Sequence, residues 1–243
     1  AEGGRLQTIA DAPGAAESGS WNAKDEIVFA ANLGEATRVK KVSANGGTPV
    51  PFDALRVAFG PVWLTSGQRF LYVELTKENK AELRLASVDG QSSDFVADLP
   101  RRTREFAYGG GILFLNRNDA LVAQHLDDAS GKLVGSATTI APVAGNPKDW
   151  FAVSSDGDRV VAFVRQAPDE TGQPGDPVAR LIWTDRQGNT TGTLGDPGRY
   201  WTMQVSPDGS SAVVNPGWDL WWVRPDGRHT RLTAAAPAVS SVG

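Results

Sequence analysis

A short turn recurs along this chain of 243 residues. It reads Ser154-Ser155-Asp156-Gly157, Ser206-Pro207-Asp208-Gly209 and Arg224-Pro225-Asp226-Gly227. Looser copies stand at Ser87-Val88-Asp89-Gly90, Asp185-Arg186-Gln187-Gly188 and Ala44-Asn45-Gly46-Gly47. Each lies between two apolar, β-branched or aromatic runs. An Asp-Gly or Asn-Gly pair permits positive φ at the glycine, and the Asp or Asn side chain bonds its own backbone, so the chain reverses sharply. One such turn makes a hairpin. A series of them at a regular pitch makes a repeat architecture.

The pitch follows from the turn glycines. Gly46, Gly90, Gly131, Gly188 and Gly227 form one register, with steps of 44, 41, 57 and 39 residues. The long step holds the Pro- and Gly-rich stretch 167–177, which reads as a loop insertion. Gly67, Gly110, Gly157 and Gly209 form a second, interleaved register with steps of 43, 47 and 52. Two hairpins per period mean four strands per period. A period of ~40–50 residues built from four strands is that of a β-propeller blade.

The strand runs agree with that period. Residues 25–30, 68–73, 111–115, 158–164 and 211–214 occupy one phase and are apolar on both faces, as expected of strands stacked between neighbouring sheets. A later phase, 37–42, 82–86, 120–125, 180–184 and 219–223, is more mixed and has one wet side. No window shows a helical period, so almost no helix is expected.

Composition bounds the rest. The length suffices for one large all-β domain. The 27 Gly and 15 Pro suit a turn-rich β protein, and 40% apolar residues argue against disorder. A net charge of −4 argues against nucleic acid as the main partner. The one basic cluster, Arg101-Arg102-Thr103-Arg104, reads as a solvated loop. The chain has no cysteine, which excludes disulfides, iron–sulfur clusters, cysteine zinc sites and a cysteine nucleophile. No apolar stretch approaches the ~20 residues of a membrane span, so no direct membrane insertion is expected. A start at Ala1 fits the first residue of a mature secreted protein and equally an excised boundary.

With these motifs in place, the chain resembles the TolB-type, WD40-like propeller repeat, whose hallmark is Ser-Pro-Asp-Gly after an inner strand. Residues 206–209 match it fully, and residues 154–157 match with one change. The order of segments resembles more closely the propellers fused behind bacterial receptor-like serine/threonine kinases. The stretches that carry this are Gly19-Ser20-Trp21-Asn22, Ser43-Ala44-Asn45-Gly46-Gly47-Thr48-Pro49, Leu181-Ile182-Trp183-Thr184-Asp185-Arg186-Gln187-Gly188 and Thr230-Arg231-Leu232-Thr233. The resemblance spans nearly the whole chain and is specific for fold, not for function. It implies an extracytoplasmic binding or sensing module, a partner-binding scaffold, or the gating domain of a serine peptidase. The kinase motifs themselves are absent.

The expected domain is a single propeller over 1–243, with blades near 19–54, 55–100, 101–145, 146–198 and 199–237. Residues 1–18 supply a leading strand, centred on Arg5–Ile9, and a linker, and 238–243 form a tail. The five blades make either a closed five-bladed ring or part of a larger, six-bladed one. Unpaired edge strands are sticky, which favours closure.

Candidate chemistry is sparse. His125 and His229 are the only histidines. A Ser-His-Asp triad needs a histidine oriented by a carboxylate beside an exposed serine, and there is no Gly-x-Ser-x-Gly elbow to present one. No catalytic residue is assigned. Asp89, Asp156, Asp208 and Asp226 recur, and calcium ligation is one reading. They fall in separate blades, so the stronger reading is that each carboxylate accepts N–H bonds within its own turn. No metal site and no cofactor are assigned. Asp127-Asp128 reads as a solvated loop pair.

Six of the eight tryptophans fall into two groups. Trp183 and Trp222 each precede a turn glycine by five residues, and Trp21 and Trp63 match each other likewise. Aromatic residues at equivalent blade positions pack between blades, so these are expected in the core. Trp150, Tyr200 and Trp201 enter a first strand directly from loops, where the connection opens onto one rim. Exposed aromatics beside basic residues are typical interface anchors. Arg104, Lys148, Trp150, Arg199, Tyr200 and Trp201 are therefore the candidate partner contacts.

The expected function is a non-catalytic, protein-binding propeller. It would lie outside the cytoplasm, periplasmic in a bacterium, as a scaffold or sensor or as an accessory subunit of a membrane-associated complex. The alternatives are the gating propeller of a hydrolase, or a propeller that carries a small ligand or glycan.

Overall fold

The computed structural model describes residues 8–12, 16–33, 36–55, 57–78, 80–99, 106–117, 120–142, 151–158, 160–165, 179–198, 200, 203–215 and 219–233. These residues hold twenty strands and no helix. The strands form five four-stranded antiparallel sheets, each pairing its strands in simple chain order. The chain divides into two compact units, Ala1–Pro147 and Lys148–Gly243.

Unit 1 carries three sheets. The first is β1 (Ala16–Trp21), β2 (Glu26–Leu33), β3 (Ala36–Ser43) and β4 (Val50–Pro51). The second is β5 (Ala58–Trp63), β6 (Arg69–Leu75), β7 (Ala81–Ser87) and β8 (Ser93–Leu99). The third is β9 (Phe106–Gly109), β10 (Ile112–Arg117), β11 (Ala120–Asp127) and β12 (Lys132–Pro142). Unit 2 carries two more. One is β13 (Phe151–Val153), β14 (Val160–Arg165), β15 (Ala179–Thr184) and β16 (Thr190–Gly198). The other is β17 (Met203–Val205), β18 (Ala212–Val214), β19 (Trp221–Val223) and β20 (His229–Arg231). Of the leading segment read as a strand, Arg5–Gln7 lie outside the described residues. Thr8 and Ile9 form no strand, although the Ile9 carbonyl accepts the Gly47 N–H at 3.3 Å. The tail 238–243 also lies outside the described residues.

β6 shows why some strands are apolar on both faces. Phe70, Leu71, Tyr72 and Val73 are all essentially fully buried. Phe70 and Tyr72 pack with Val28, Val39, Phe52 and Trp63 against the first sheet. Leu71 and Val73 point the other way, into a cluster with Leu113, Leu115, Val122 and Leu126 of the third sheet. Side chains alternate along a strand, so one strand feeds two interfaces. Aromatic packing sets the first interface: the Phe70 ring lies 5.0 Å from Phe52, and Trp63 meets it edge-on at 5.6 Å. Each fully buried side chain of this size contributes ~1.5–3 kcal/mol. In unit 2, Leu181, Trp183 and Leu194 pack on Met203, Val205, Ala212, Val214 and Val223 across the two sheets. Fourth strands are wetter, and β20 is exposed along its length.

Polar bonds fasten the sheets of unit 1 at defined points. β5 has a bulge between Phe59 and Val62. There the Gly60 N–H donates to Ser18 Oγ at 3.1 Å, and the Trp63 N–H donates to Ser20 Oγ at 3.2 Å. On the second sheet, Arg84 bridges Glu74 at 3.0 Å and Glu82 at 2.9 Å and donates to the Ser93 carbonyl. Tyr72 Oη completes this group, 2.7 Å from Ser93 Oγ.

The recurring turns have one construction. In Ser87–Gly90, Ser154–Gly157 and Ser206–Gly209 the glycine N–H donates to the first serine's carbonyl, at 2.8 to 2.9 Å. The aspartate Oδ1 accepts the N–H two residues on: Gln91 at 3.0 Å, Asp158 at 2.9 Å and Ser210 at 3.0 Å. The serine hydroxyl donates to the same oxygen. Asp226, Asp185 and Asp127 accept backbone N–H groups in the same manner. All nine glycines aligned from the sequence have positive φ. Gly90 shows why no other residue serves, because a Cβ there would sit 3.1 Å from the Phe52 ring as well as at φ +73°. The serine hydroxyl, then the backbone N–H, hold the carboxyls of Asp89, Asp156 and Asp208 below the ordinary range, and Asp208 falls to about 2.

Two outcomes follow for stability. Phe70→Ala is expected to lower the unfolding free energy by ~3–5 kcal/mol. Val134→Ala, at an exposed site, is expected to change it by less than ~0.5 kcal/mol, both by chemical denaturation. Asp208 titrates lower in the folded chain than its unfolded value of 3.8. Its contribution is therefore full above that value and is lost as pH falls through about 2. Asp208→Asn keeps an acceptor oxygen and removes the charge. The stability gap between wild type and this variant is expected to hold down to about pH 5 and to close between about pH 4 and pH 2. A gap independent of pH there would contradict the turn bonds as described.

Candidate functional site

The hairpin turns of each sheet crowd together at the strand ends, and in each unit they are tied to neighbours. In unit 1, Arg69 donates to the carbonyls of Asp128 and Ala129 at 3.2 and 3.1 Å, and pairs with Asp94. Tyr108 Oη donates to Asp128 Oδ1 at 2.8 Å. Asp127-Asp128 is thus no freely solvated pair: Asp127 closes its own turn and Asp128 joins that turn to β9. In unit 2, Ser155 Oγ donates to the Pro207 carbonyl at 2.7 Å, which ties the turn of one sheet to that of the next. Arg186 donates to the carbonyls of Gly157 at 3.1 Å and Asp156 at 2.8 Å, and pairs with Asp158.

The repeated aspartates are used within their turns. His125 is exposed on β11. His229 is exposed at the start of β20; its Nδ1 lies 3.2 Å from the Gly227 carbonyl, and its ring stands edge-on to Trp221.

The tryptophans part company. Trp63 and Trp183 are buried between sheets, as expected. Trp21 is 60% exposed, and Trp222 is half-buried with the Arg224 guanidinium 4.0 Å above its ring. Their blade positions are equivalent but their neighbours are not. Trp63 points back toward the first sheet, and within unit 1 no described sheet precedes β1–β4 to cover Trp21. Trp183 points toward β17–β20, and within unit 2 no described sheet follows to cover Trp222.

Of the six candidate contacts, Arg104, Lys148, Trp150, Arg199 and Trp201 lie outside the described residues. Tyr200 is half-buried rather than an open anchor. It packs against the core of unit 2, its hydroxyl donates to the Asp196 carbonyl, and burial pushes its pKa up.

Unit 2 also holds a cleft of about 570 Å³. Its walls come from Trp183 and Thr184 of β15, the segment 191–193 of β16, and Ser210 and Pro225 in turns of the last sheet, with Asp158 and Asp185 at the turns of β13–β16. The signal was present as Thr190-Thr191-Gly192-Thr193, a glycine set among threonines in a strand, but nothing local says that turns of another sheet close over it. Unit 1 has a more charged hollow of about 430 Å³ beside the Ser43–Thr48 turn, where Lys41 pairs with Glu26 at 3.4 Å.

No family model matches the chain, and no curated protein matches it. Solved structures do. The propeller domain of the trilobed protease from Pyrococcus furiosus is 10% identical, with 89% of this chain covering 71% of that one at a TM-score of 0.60. TolB from Acinetobacter baumannii is 13% identical, with 89% of this chain covering 53% of that one at a TM-score of 0.58. A gluconolactonase from Xanthomonas campestris, XC5397, is 15% identical, with 89% covering 74% at a TM-score of 0.62. Identities this low carry the fold alone. The chain is built from four-stranded antiparallel blades in the β-propeller fold that TolB proteins share.

Proposed function

We propose that this chain is a non-catalytic propeller module that binds another protein. The observation that carries the reading is the construction of the rim. Each recurring turn is braced by its own aspartate and several are tied to the next turn, so the sheets that the contact loops enter are held in place before a partner arrives. A preorganised surface loses little freedom on association, so more of its contact energy appears as affinity. The turn carboxylates are committed to backbone N–H groups, and both histidines stand exposed on strands, which supports a role without bond-making.

The contacts assigned to the partner are Arg104, Lys148, Trp150, Arg199 and Trp201, basic and aromatic residues of the kind that anchor interfaces. In this reading the module works outside the cytoplasm, as a sensor or as an accessory subunit of a membrane-associated complex; the resemblance to receptor-kinase and TolB propellers supports it. Among the described residues no helix is long and apolar enough to cross a membrane.

Native affinity purification, with size-exclusion chromatography of the product, tests the reading. A stoichiometric protein partner is expected to remain bound at physiological salt. Trp150→Ala, Arg199→Glu and Trp201→Ala together are expected to reduce its recovery by at least ~tenfold. Failure of any protein to co-purify would overturn the reading. So would turnover of peptide, ester or lactone substrates that disappears in His125→Ala or His229→Ala.

A further inference from the structure

One recurring turn lacks the bond that locks the others. Ser43-Ala44-Asn45-Gly46 aligns with Ser87–Gly90, Ser154–Gly157 and Ser206–Gly209, and its Gly46 N–H donates to the Ser43 carbonyl at 3.0 Å in the common manner. In the aspartate turns a side-chain oxygen accepts the N–H two residues on. At Asn45 the corresponding N–H, that of Gly47, donates instead to the Ile9 carbonyl at 3.3 Å. The Ser43 hydroxyl differs too. It accepts the Asn45 N–H at 3.1 Å, where its counterparts donate to a carboxylate. Among the described residues the exposed Asn45 carboxamide has no hydrogen-bond partner.

An unbonded carboxamide followed by glycine has a reaction open to it. The Gly46 main-chain nitrogen, after losing its proton to hydroxide, attacks Asn45 Cγ. The bond from Cγ to the amide nitrogen breaks and ammonia leaves. A succinimide ring then joins the two residues. Water adds to either ring carbonyl and opens it to aspartate or to isoaspartate, so amide and water become acid and ammonia. Glycine favours closure because no side chain crowds the nitrogen and φ is free to change. Gly46 stands at φ +96°, and nothing lies near the Cβ position of Gly47. The four Asp-Gly pairs at Asp89, Asp156, Asp208 and Asp226 are built to resist the same attack. The serine hydroxyl or, at Asp226, the Arg228 guanidinium, and then the backbone N–H, hold each carboxyl below its ordinary range. An ionised carboxylate must be protonated before nitrogen can displace its oxygen, and a bonded one is not free to turn toward the glycine.

We propose that Asn45 is a site of spontaneous modification, converted in the folded protein through a succinimide with Gly46 to aspartate and isoaspartate, while the four Asp-Gly turns stay intact. The two products act oppositely. Aspartate supplies the acceptor that this turn lacks and competes with Ile9 for the Gly47 N–H. Isoaspartate adds a carbon to the main chain between the Asn45 and Gly46 positions and breaks the bond from Gly46 to Ser43. The proposal does not rest on the scaffold reading, and either can fail alone.

Incubation of the full chain at mildly alkaline pH tests it, with mass spectrometry of the tryptic peptide 42–56 and of the peptides that carry the Asp-Gly pairs. A parallel incubation in guanidinium chloride gives each rate without the fold. Folding is expected to slow conversion at Asn45 by less than ~threefold, and isoaspartate formation at each Asp-Gly pair by at least ~tenfold. Asn45→Asp, which places a carboxylate in the turn directly, is expected to form isoaspartate at least ~tenfold more slowly than the wild type and to keep its β-sheet circular dichroism. Three results would overturn the proposal. The folded chain keeps the amide in peptide 42–56 throughout, folding slows Asn45 as much as the Asp-Gly pairs, or Asn45→Asp forms isoaspartate as fast as the wild type.

Discussion

The structure depends on strands that bury both faces. A sheet with one apolar face needs one partner, but β6 places Phe70 and Tyr72 on one side and Leu71 and Val73 on the other, all fully buried. A strand of that kind requires a sheet on each side of its own. The second sheet therefore lies between the first and the third, and its two interfaces hold unit 1 together. Among the described residues of unit 2, an interface centred on Leu181, Trp183 and Val214 does the equivalent work with shorter strands.

The turns translate that packing into a surface. Stacked sheets bring their hairpins side by side, and each hairpin must reverse within a few residues. The Ser-x-Asp-Gly construction does this with a carboxylate that saturates the turn's own N–H groups. Because those bonds are internal, the rim is rigid without depending on a ligand. The same geometry leaves hollows where a turn of one sheet stands over the fourth strand of its neighbour. The unit 2 cleft is one, and there the wall beside Trp183 is the bare backbone of Gly192.

What was legible in the sequence was local. Asp89, Asp156 and Asp208 announce their role because the bonds they make lie within five residues, and positive φ at the turn glycines follows from the same short motif. The two-faced burial of β6 was legible because four consecutive apolar residues cannot all face one sheet. What was not legible depended on neighbours far along the chain. Trp21 and Trp63 hold equivalent positions, yet only Trp63 has a sheet to pack against within its unit. Asp128 reads as loop charge until Tyr108 reaches it. The cleft needs turns of two sheets to exist, so no single stretch could reveal it.

Amide hydrogen exchange tests the central claim, that strands buried on both faces hold the blades together. The amides of Phe70–Val73 are expected to exchange in the slowest class, opening only when unit 1 unfolds, while those of exposed His229–Arg231 exchange through local opening. Exchange at Phe70–Val73 as rapid as at His229–Arg231 would contradict the account.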